Sequence, residues 1–175
     1  MNLFGGLARA MVLGGVLMVA GVAPTLSAST EIGALEKYIG MWKGAGMLNG
    51  DTKSPVTCKM QLSEGNGGKL NYQGRCSLSG QQLSVTGTIA WVDANKRYEA
   101  VMNSGIGGFR GVAIGKRSGD KIVFDLQQRA DDDQGNDITI AAKVILSGNS
   151  ITTDFHAVFN SSGDTIDTSV PFEKA

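Results

Sequence analysis

Two cysteines and one histidine are the residues with the widest chemistry in this 175-residue chain. Cys58 and Cys76 lie in two segments that alternate apolar with polar residues, and a glycine-rich turn at residues 64–68 joins the segments. This pattern predicts a β-hairpin, and pairing centred on Gly67 places the two cysteines opposite one another on the apolar face. Without further Cys or His ligands nearby, such a pair in an exported protein favours a structural disulfide over a metal or redox site.

His156 is the single imidazole, so any histidine-dependent mechanism would have to use it. It shares one strand face with Asp154 and Val158, whereas Phe155 and Phe159 lie on the opposite face. If the apolar face is interior, His156 points to solvent. We predict that His156 is exposed and has no functional role. The alternatives are that His156 is a buried polar group with a hydrogen-bond partner, or that it is a ligand or a catalyst.

Three further patterns do not match the sites that they suggest. The acidic run at residues 131–137 departs from a calcium-binding EF-hand at Gly135 and Ala142. The glycine-rich stretch 105–111 has Arg110 where a dinucleotide motif needs glycine, and no Lys-Ser or Lys-Thr pair follows it. The chain also has no Gly-x-Ser-x-Gly elbow. We therefore expect no catalytic residues, no metal ligands and no cofactor, and a protein that is not an enzyme.

The elements that must position these residues are short strands. From residue 41 onward, about ten segments of alternating apolar and polar residues are separated by turn signals, and 25 glycines against three prolines suit many tight turns. Residues 30–39 carry apolar residues at helical spacing, with Thr30 as cap and Gly40 as stop. We predict an all-β fold, an antiparallel up-and-down β-barrel of about ten strands with a short N-terminal helix; a β-sandwich is the alternative.

The N-terminal segment predicts export. Residues 1–28 contain one charge, Arg9, before an apolar run too short to span a bilayer, and cleavage is expected after Ala28 or after Ser29. Residues 29–175 then form a single barrel domain that is periplasmic or secreted, soluble, and not an integral membrane protein. The 16 basic and 16 acidic side chains give no excess charge that would indicate a nucleic-acid partner.

The stretch from Gly40 to Gly46 joins the predicted helix to the first strand. Trp42, Gly44 and Gly46 share a face, which suits a strand that bends or that lets another backbone approach beyond a large buried ring. We predict that Trp42 is largely buried.

The Gly40-x-Trp42 pattern at the start of a β-rich chain resembles the opening strand of the calycin superfamily, which includes lipocalins, fatty-acid-binding proteins and haem-binding nitrobindins. The resemblance implies a barrel whose interior binds a small apolar or amphipathic molecule, and a late basic residue, here Lys174, stacked on the Trp42 indole. Nitrobindins bind haem through a late histidine, comparable to His156, but the predicted facing of His156 argues against that role.

Two other functions stay open at this stage. Gly40-x-Trp42, Cys58 and Cys76 also resemble exported bacterial metalloprotease inhibitors, whose N-terminus enters the protease; residues 29–31 would be the inserting segment here. An envelope scaffold protein with a filled interior and a protein partner is the third hypothesis.

Overall fold

The computed structural model describes residues 25–78, 80–105, 110–131 and 135–175. One helix, α1 (Thr25–Glu36), precedes ten strands, and a short 3-10 turn, Asp93–Asn95, joins the fourth strand to the fifth. The strands are β1 (Gly40–Asn49), β2 (Ser54–Glu64), β3 (Leu70–Leu78), β4 (Gln81–Val92), β5 (Arg97–Ser104), β6 (Arg110–Ser118), β7 (Lys121–Asp131), β8 (Asp137–Ser147), β9 (Ser150–Phe159) and β10 (Thr165–Lys174).

The ten strands form one closed antiparallel barrel. Each strand pairs with its neighbours in sequence, and β1 pairs with β10 to close the sheet. Closure satisfies the backbone donors and acceptors that two free edge strands would expose. The predicted barrel is therefore confirmed over the sandwich, and the predicted register of the β2–β3 hairpin is confirmed as well, with Cys58 opposite Cys76 and Leu62 opposite Tyr72.

The boundaries predicted for the helix are wrong. α1 begins at Thr25 and ends at Glu36, so Thr30 lies inside the helix and is not its cap. Tyr38 and Ile39 follow the helix in a turn, in which their N–H groups donate to the carbonyls of Leu35 and Glu36 at 3.0 and 3.1 Å. Gly40 begins β1 and does not end the helix; its φ of 140° lies in the region that favours glycine.

Helix α1 covers one end of the barrel, which we call the closed end. Leu35 of the helix and Trp42 of β1 are almost fully buried there, together with Tyr98 of β5 and Phe124 of β7. The tyrosine ring packs edge-on against the phenylalanine ring, with centroids 6.1 Å apart. The large aromatic groups that the alternating pattern directs inward therefore form a packed core directly under the helix.

Polar contacts also attach α1 to the barrel. The Tyr98 hydroxyl donates to the backbone carbonyl of Glu31 at 3.1 Å and contacts the Glu31 carboxylate. Arg117 of β6 forms an ion pair with the same carboxylate at 3.2 Å. Because all three side chains are at least partly buried, these contacts fix the helix more firmly than a pair on the open surface would.

Strand β1 comes very close to β10 at Gly46. A side chain at this position would overlap the backbone carbonyl of Ser169. The glycine therefore permits the close approach that the sequence pattern indicates for this strand.

The predicted signal peptide, residues 1–28, is not tested by the structure, because residues 1–24 lie outside the described part of the chain. Within the described residues, α1 is too short and too polar to cross a membrane as a helix.

Candidate functional site

The half of the barrel interior farthest from α1, which we call the distal half, is the candidate site. Its walls are inward side chains that cross-strand pairing arranges in layers. One layer runs from Ala142 on β8 to Phe155 on β9, Thr168 on β10 and Leu48 on β1. All four side chains point into the barrel and remain half-buried, whereas inward residues of the layer beside the closed end, such as Leu146 and Ile151, are about 1% exposed.

Accessible inward positions continue toward the middle of the barrel. Val144 on β8 and Thr153 on β9 form the next layer, and both are only partly buried. On the opposite wall, Met60 on β2 is also partly buried, and it borders a groove on the outer surface of β1, β2 and β3. The inward side chains of β8 and β9 in these layers are thus less completely buried than those under α1.

One buried polar atom among these inward residues lacks a partner. The hydroxyl oxygen of Thr168 is buried and accepts or donates no hydrogen bond within the part of the chain that the structure describes. A buried hydroxyl without a partner costs free energy, of the order of 1–3 kcal/mol. Such a group suits an interior that a water molecule or the polar end of a ligand completes.

Tyr72 shows how a buried polar group is satisfied elsewhere in the barrel. Its ring lies over Gly87, and its hydroxyl donates to the carbonyl of Val101 at 3.1 Å. Burial raises the pKa of this hydroxyl above its ordinary value, so the group stays neutral across the physiological range. Tyr72 is thus a structural cross-link between β3 and β5 and is not a candidate for acid–base chemistry.

His156 lies outside this site. It points away from the interior, and its Nδ1 atom is 2.5 Å from a carboxylate oxygen of Asp167 on the adjacent strand. About 45% of its side chain is exposed. A haem group inside the barrel could not be ligated by a side chain that points to the opposite face of the sheet.

The predicted structural residues meet at the closed end. The Trp42 indole N–H donates to the Tyr38 carbonyl at 2.9 Å, and the ammonium group of Lys174 lies 5.7 Å from the centre of the indole ring. Gly44 and Gly46 lie beside β10 on the same strand face as Trp42. Cys58 and Cys76 are bonded to one another in the described structure, which is consistent with an oxidising compartment.

Residues 29–31 lie within α1 and do not form a free tail. Because Glu31 is held by Tyr98 and Arg117, this placement counts against the protease-inhibitor hypothesis. Within the described residues, no group of three or more His, Cys, Asp or Glu side chains is placed to hold a metal ion.

The sequence interpretation did not identify Ala142 or Thr168 as site residues. The available signals were a small residue in β8 and a hydroxyl in β10, each at a position that the alternating pattern assigns to the apolar face of its strand. They were readable only once the pairing of the strands around the whole barrel was known.

No protein-family model and no curated protein sequence matches this chain. Among solved structures, Rv2717c from M. tuberculosis superposes with a TM-score of 0.65 at 13% identity, covering 82% of this chain and 96% of that one. The S-type phycobiliprotein lyase CPES from Guillardia theta superposes with a TM-score of 0.52 at 8% identity, covering 84% and 92%. At these identities the similarity shows the fold alone, and the closed ten-strand antiparallel barrel fits the predicted calycin-like fold.

Proposed function

We propose that this protein binds a small apolar or amphipathic molecule in the distal half of its barrel and acts as a binding protein without catalytic chemistry. The observation that supports the proposal is the accessibility of inward side chains in the middle of the barrel, represented by Ala142 and Phe155. Apolar walls with few polar groups are typical of pockets for small molecules.

The wall chemistry suggests what the ligand looks like. Phe155 and Leu48 offer apolar contact, and the unpartnered Thr168 hydroxyl can form one hydrogen bond beside them. An elongated apolar body with a single hydroxyl, carbonyl or carboxyl group fits this combination. We further propose that the protein is exported to the periplasm or secreted, because it combines the N-terminal apolar run with a disulfide.

Two adjacent alanines on β8 provide a matched test. Ala142 points into the barrel and Ala141 points outward next to His156, yet both are half-buried on the same strand. Ala142→Phe fills the space in front of Phe155, and we expect it to weaken binding of the neutral fluorescent probe N-phenyl-1-naphthylamine by about tenfold or more. Ala141→Phe should leave the affinity unchanged within about twofold.

The two variants are compared by fluorescence titration after circular dichroism has shown that both retain the wild-type spectrum. Loss of binding in the Ala142 variant alone supports the interior site. Equal affinities in both variants, or a wild-type protein that shows no saturable binding, would contradict it. Native mass spectrometry of protein recovered from cells then shows whether an endogenous molecule of defined mass accompanies the chain.

A further inference from the structure

Three cations lie side by side on the outer surface of β1, β2 and β3. Lys43 is directly opposite Lys59, and Lys59 is directly opposite Arg75. Neighbouring strands are about 4.8 Å apart, so the three side chains begin within about 10 Å of one another. We call Lys43, Lys59 and Arg75 the cationic row.

Side chains of like charge directly opposite one another destabilise a sheet. Ion pairs offset some of the charges elsewhere on this barrel. Lys143 lies opposite Asp154 and 3.6 Å from Asp125. Asp131 lies opposite Asp137, but Arg129 forms an ion pair with Asp137.

The cationic row has no such compensation within the described residues. None of its three members forms an ion pair or a side-chain hydrogen bond there. Glu173 on β10 is opposite Lys43 on its other side, but the two side chains form no ion pair. The row is thus a site of positive charge that no ion pair within the described residues offsets, and an anion from outside the chain would offset it.

The surface around the row is concave. A groove of about 630 Å³ is lined by the three cations, by Met41, Met60, Gly44 and Cys58, and by neutral side chains that can donate hydrogen bonds, namely Thr57, Gln61, Gln73, Ser77 and Gln82. No carboxylate is among the described residues that line it. The volume is within the range of small-molecule sites.

We propose that this groove binds a soluble molecule that carries two or more phosphate groups. The guanidinium of Arg75 can bind one phosphate through two parallel hydrogen bonds, while Lys43 and Lys59 act as adjacent point charges for the next. Amide groups of Gln61 and Gln73 flank the row on one side and can bind the remaining oxygens. The groove opens on the outer surface of β1, β2 and β3, and the proposal does not depend on ligand binding in the interior.

Tripolyphosphate is a suitable probe, and Lys59 in the middle of the row is the residue to change. Lys59→Gln removes the cation that both neighbours share, and we expect the affinity for tripolyphosphate to fall about tenfold or more. Lys121→Gln is the matched control, because Lys121 is an exposed lysine on β7 that faces the neutral residues Ser118 and Ser147. It changes the net charge equally and should alter the affinity less than about twofold.

Two further variants separate the effect of the guanidinium's hydrogen-bond geometry from the effect of the row's charge. Arg75→Lys keeps the charge but loses the two-pronged hydrogen bond, so its affinity should lie between those of the wild type and Lys59→Gln. Lys59→Glu should abolish binding and at the same time raise the melting temperature without ligand, because a carboxylate then lies between two cations. The gain in stability is expected of a merely solvated surface as well, so the loss of tripolyphosphate binding is the result that identifies the site.

The titrations are done by calorimetry at low ionic strength and repeated at higher salt, where the affinity should fall. Binding that is lost in Lys59→Gln and kept in Lys121→Gln supports the proposal. A wild-type protein that does not bind tripolyphosphate, equal losses in the two variants, or binding only to vesicles of phosphatidylglycerol would overturn it.

Discussion

The two halves of the barrel interior are built from the same alternating strands but are filled differently. At the closed end, Trp42 and Tyr98 are almost fully buried, and their polar atoms donate to backbone carbonyls of the turn and of α1. In the distal half, Phe155 and its neighbours in the same layer are half-buried, although Ile140 and Ala157 in the layer beyond them are buried, and the Thr168 hydroxyl has no partner within the described chain. Burial is therefore less uniform in the distal half than under α1.

The difference follows from what packs against each half. Helix α1 supplies Leu35 and the turn after it supplies Tyr38 to the closed end, so large side chains from opposite walls meet a third surface and lose contact with water. The distal layers carry small or polar residues, Ala142 and Thr153 among them, which occupy less volume than the aromatic rings under the helix. One half can thus stabilise the fold while the other is free to bind a ligand.

The largest expected effect is at Trp42. Trp42→Ala removes a fully buried indole and its hydrogen bond to Tyr38, and we expect a loss of about 3–5 kcal/mol in the free energy of unfolding. Phe155→Ala should cost less than half of that, because its ring is already half-buried. Urea denaturation of both variants measures the contrast. Equal losses would mean that the distal half is as well packed as the closed end.

Much of this architecture was readable from the sequence because it depends on local rules. Alternation and turn residues predicted the strands, and the short turn at residues 64–68 fixed the register that places Cys58 opposite Cys76. The burial of Trp42 also follows from its strand face. These features need only neighbouring segments of chain.

What the sequence did not show depends on distant segments. The start of α1 was misplaced, because Thr30 resembles a cap while the helix begins five residues earlier. Ala142 faces an enclosed interior only because β1 and β10 pair to close the sheet. Part of the cationic row could have been predicted, because a first hairpin centred on residue 51 pairs Lys43 with Lys59. Lys43 and Lys59 look like ordinary surface lysines until the register of the second hairpin places Arg75 beside them.

An alkaline titration should disturb the closed end first. Burial raises the pKa of the Tyr38 and Tyr98 hydroxyls there, and the neighbouring Glu31 carboxylate raises that of Tyr98 further. Below pH 10 both hydroxyls are neutral in the folded and the unfolded chain, so this contribution is fully present. As the pH rises above about 10, the unfolded chain releases these protons more readily, and the free energy of unfolding falls.

Tyrosinate absorbance at high pH should therefore appear together with the loss of the folded circular dichroism signal. Tyr98→Phe removes one of the titrating groups, so the decline of stability above about pH 10 should become shallower, although the variant loses the hydrogen bond to Glu31. Tyrosinate formation near pH 10 in a chain that stays folded would show that the closed end admits water, which would weaken the contrast between the halves.

The smallest expected effect is at His156, which lies on the outside of the same strand that carries Phe155 inward. Its contact with Asp167 is exposed, and exposed ion pairs contribute at most about 1 kcal/mol. We therefore expect His156→Ala to leave the affinity for N-phenyl-1-naphthylamine unchanged and the protein without stoichiometric haem binding. The haem expectation rests on donor geometry, because the cysteines are bonded to one another and the imidazole faces solvent. A Soret band that appears on haem addition and disappears in His156→Ala would show that His156 ligates haem and would contradict the placement of His156 outside the binding site.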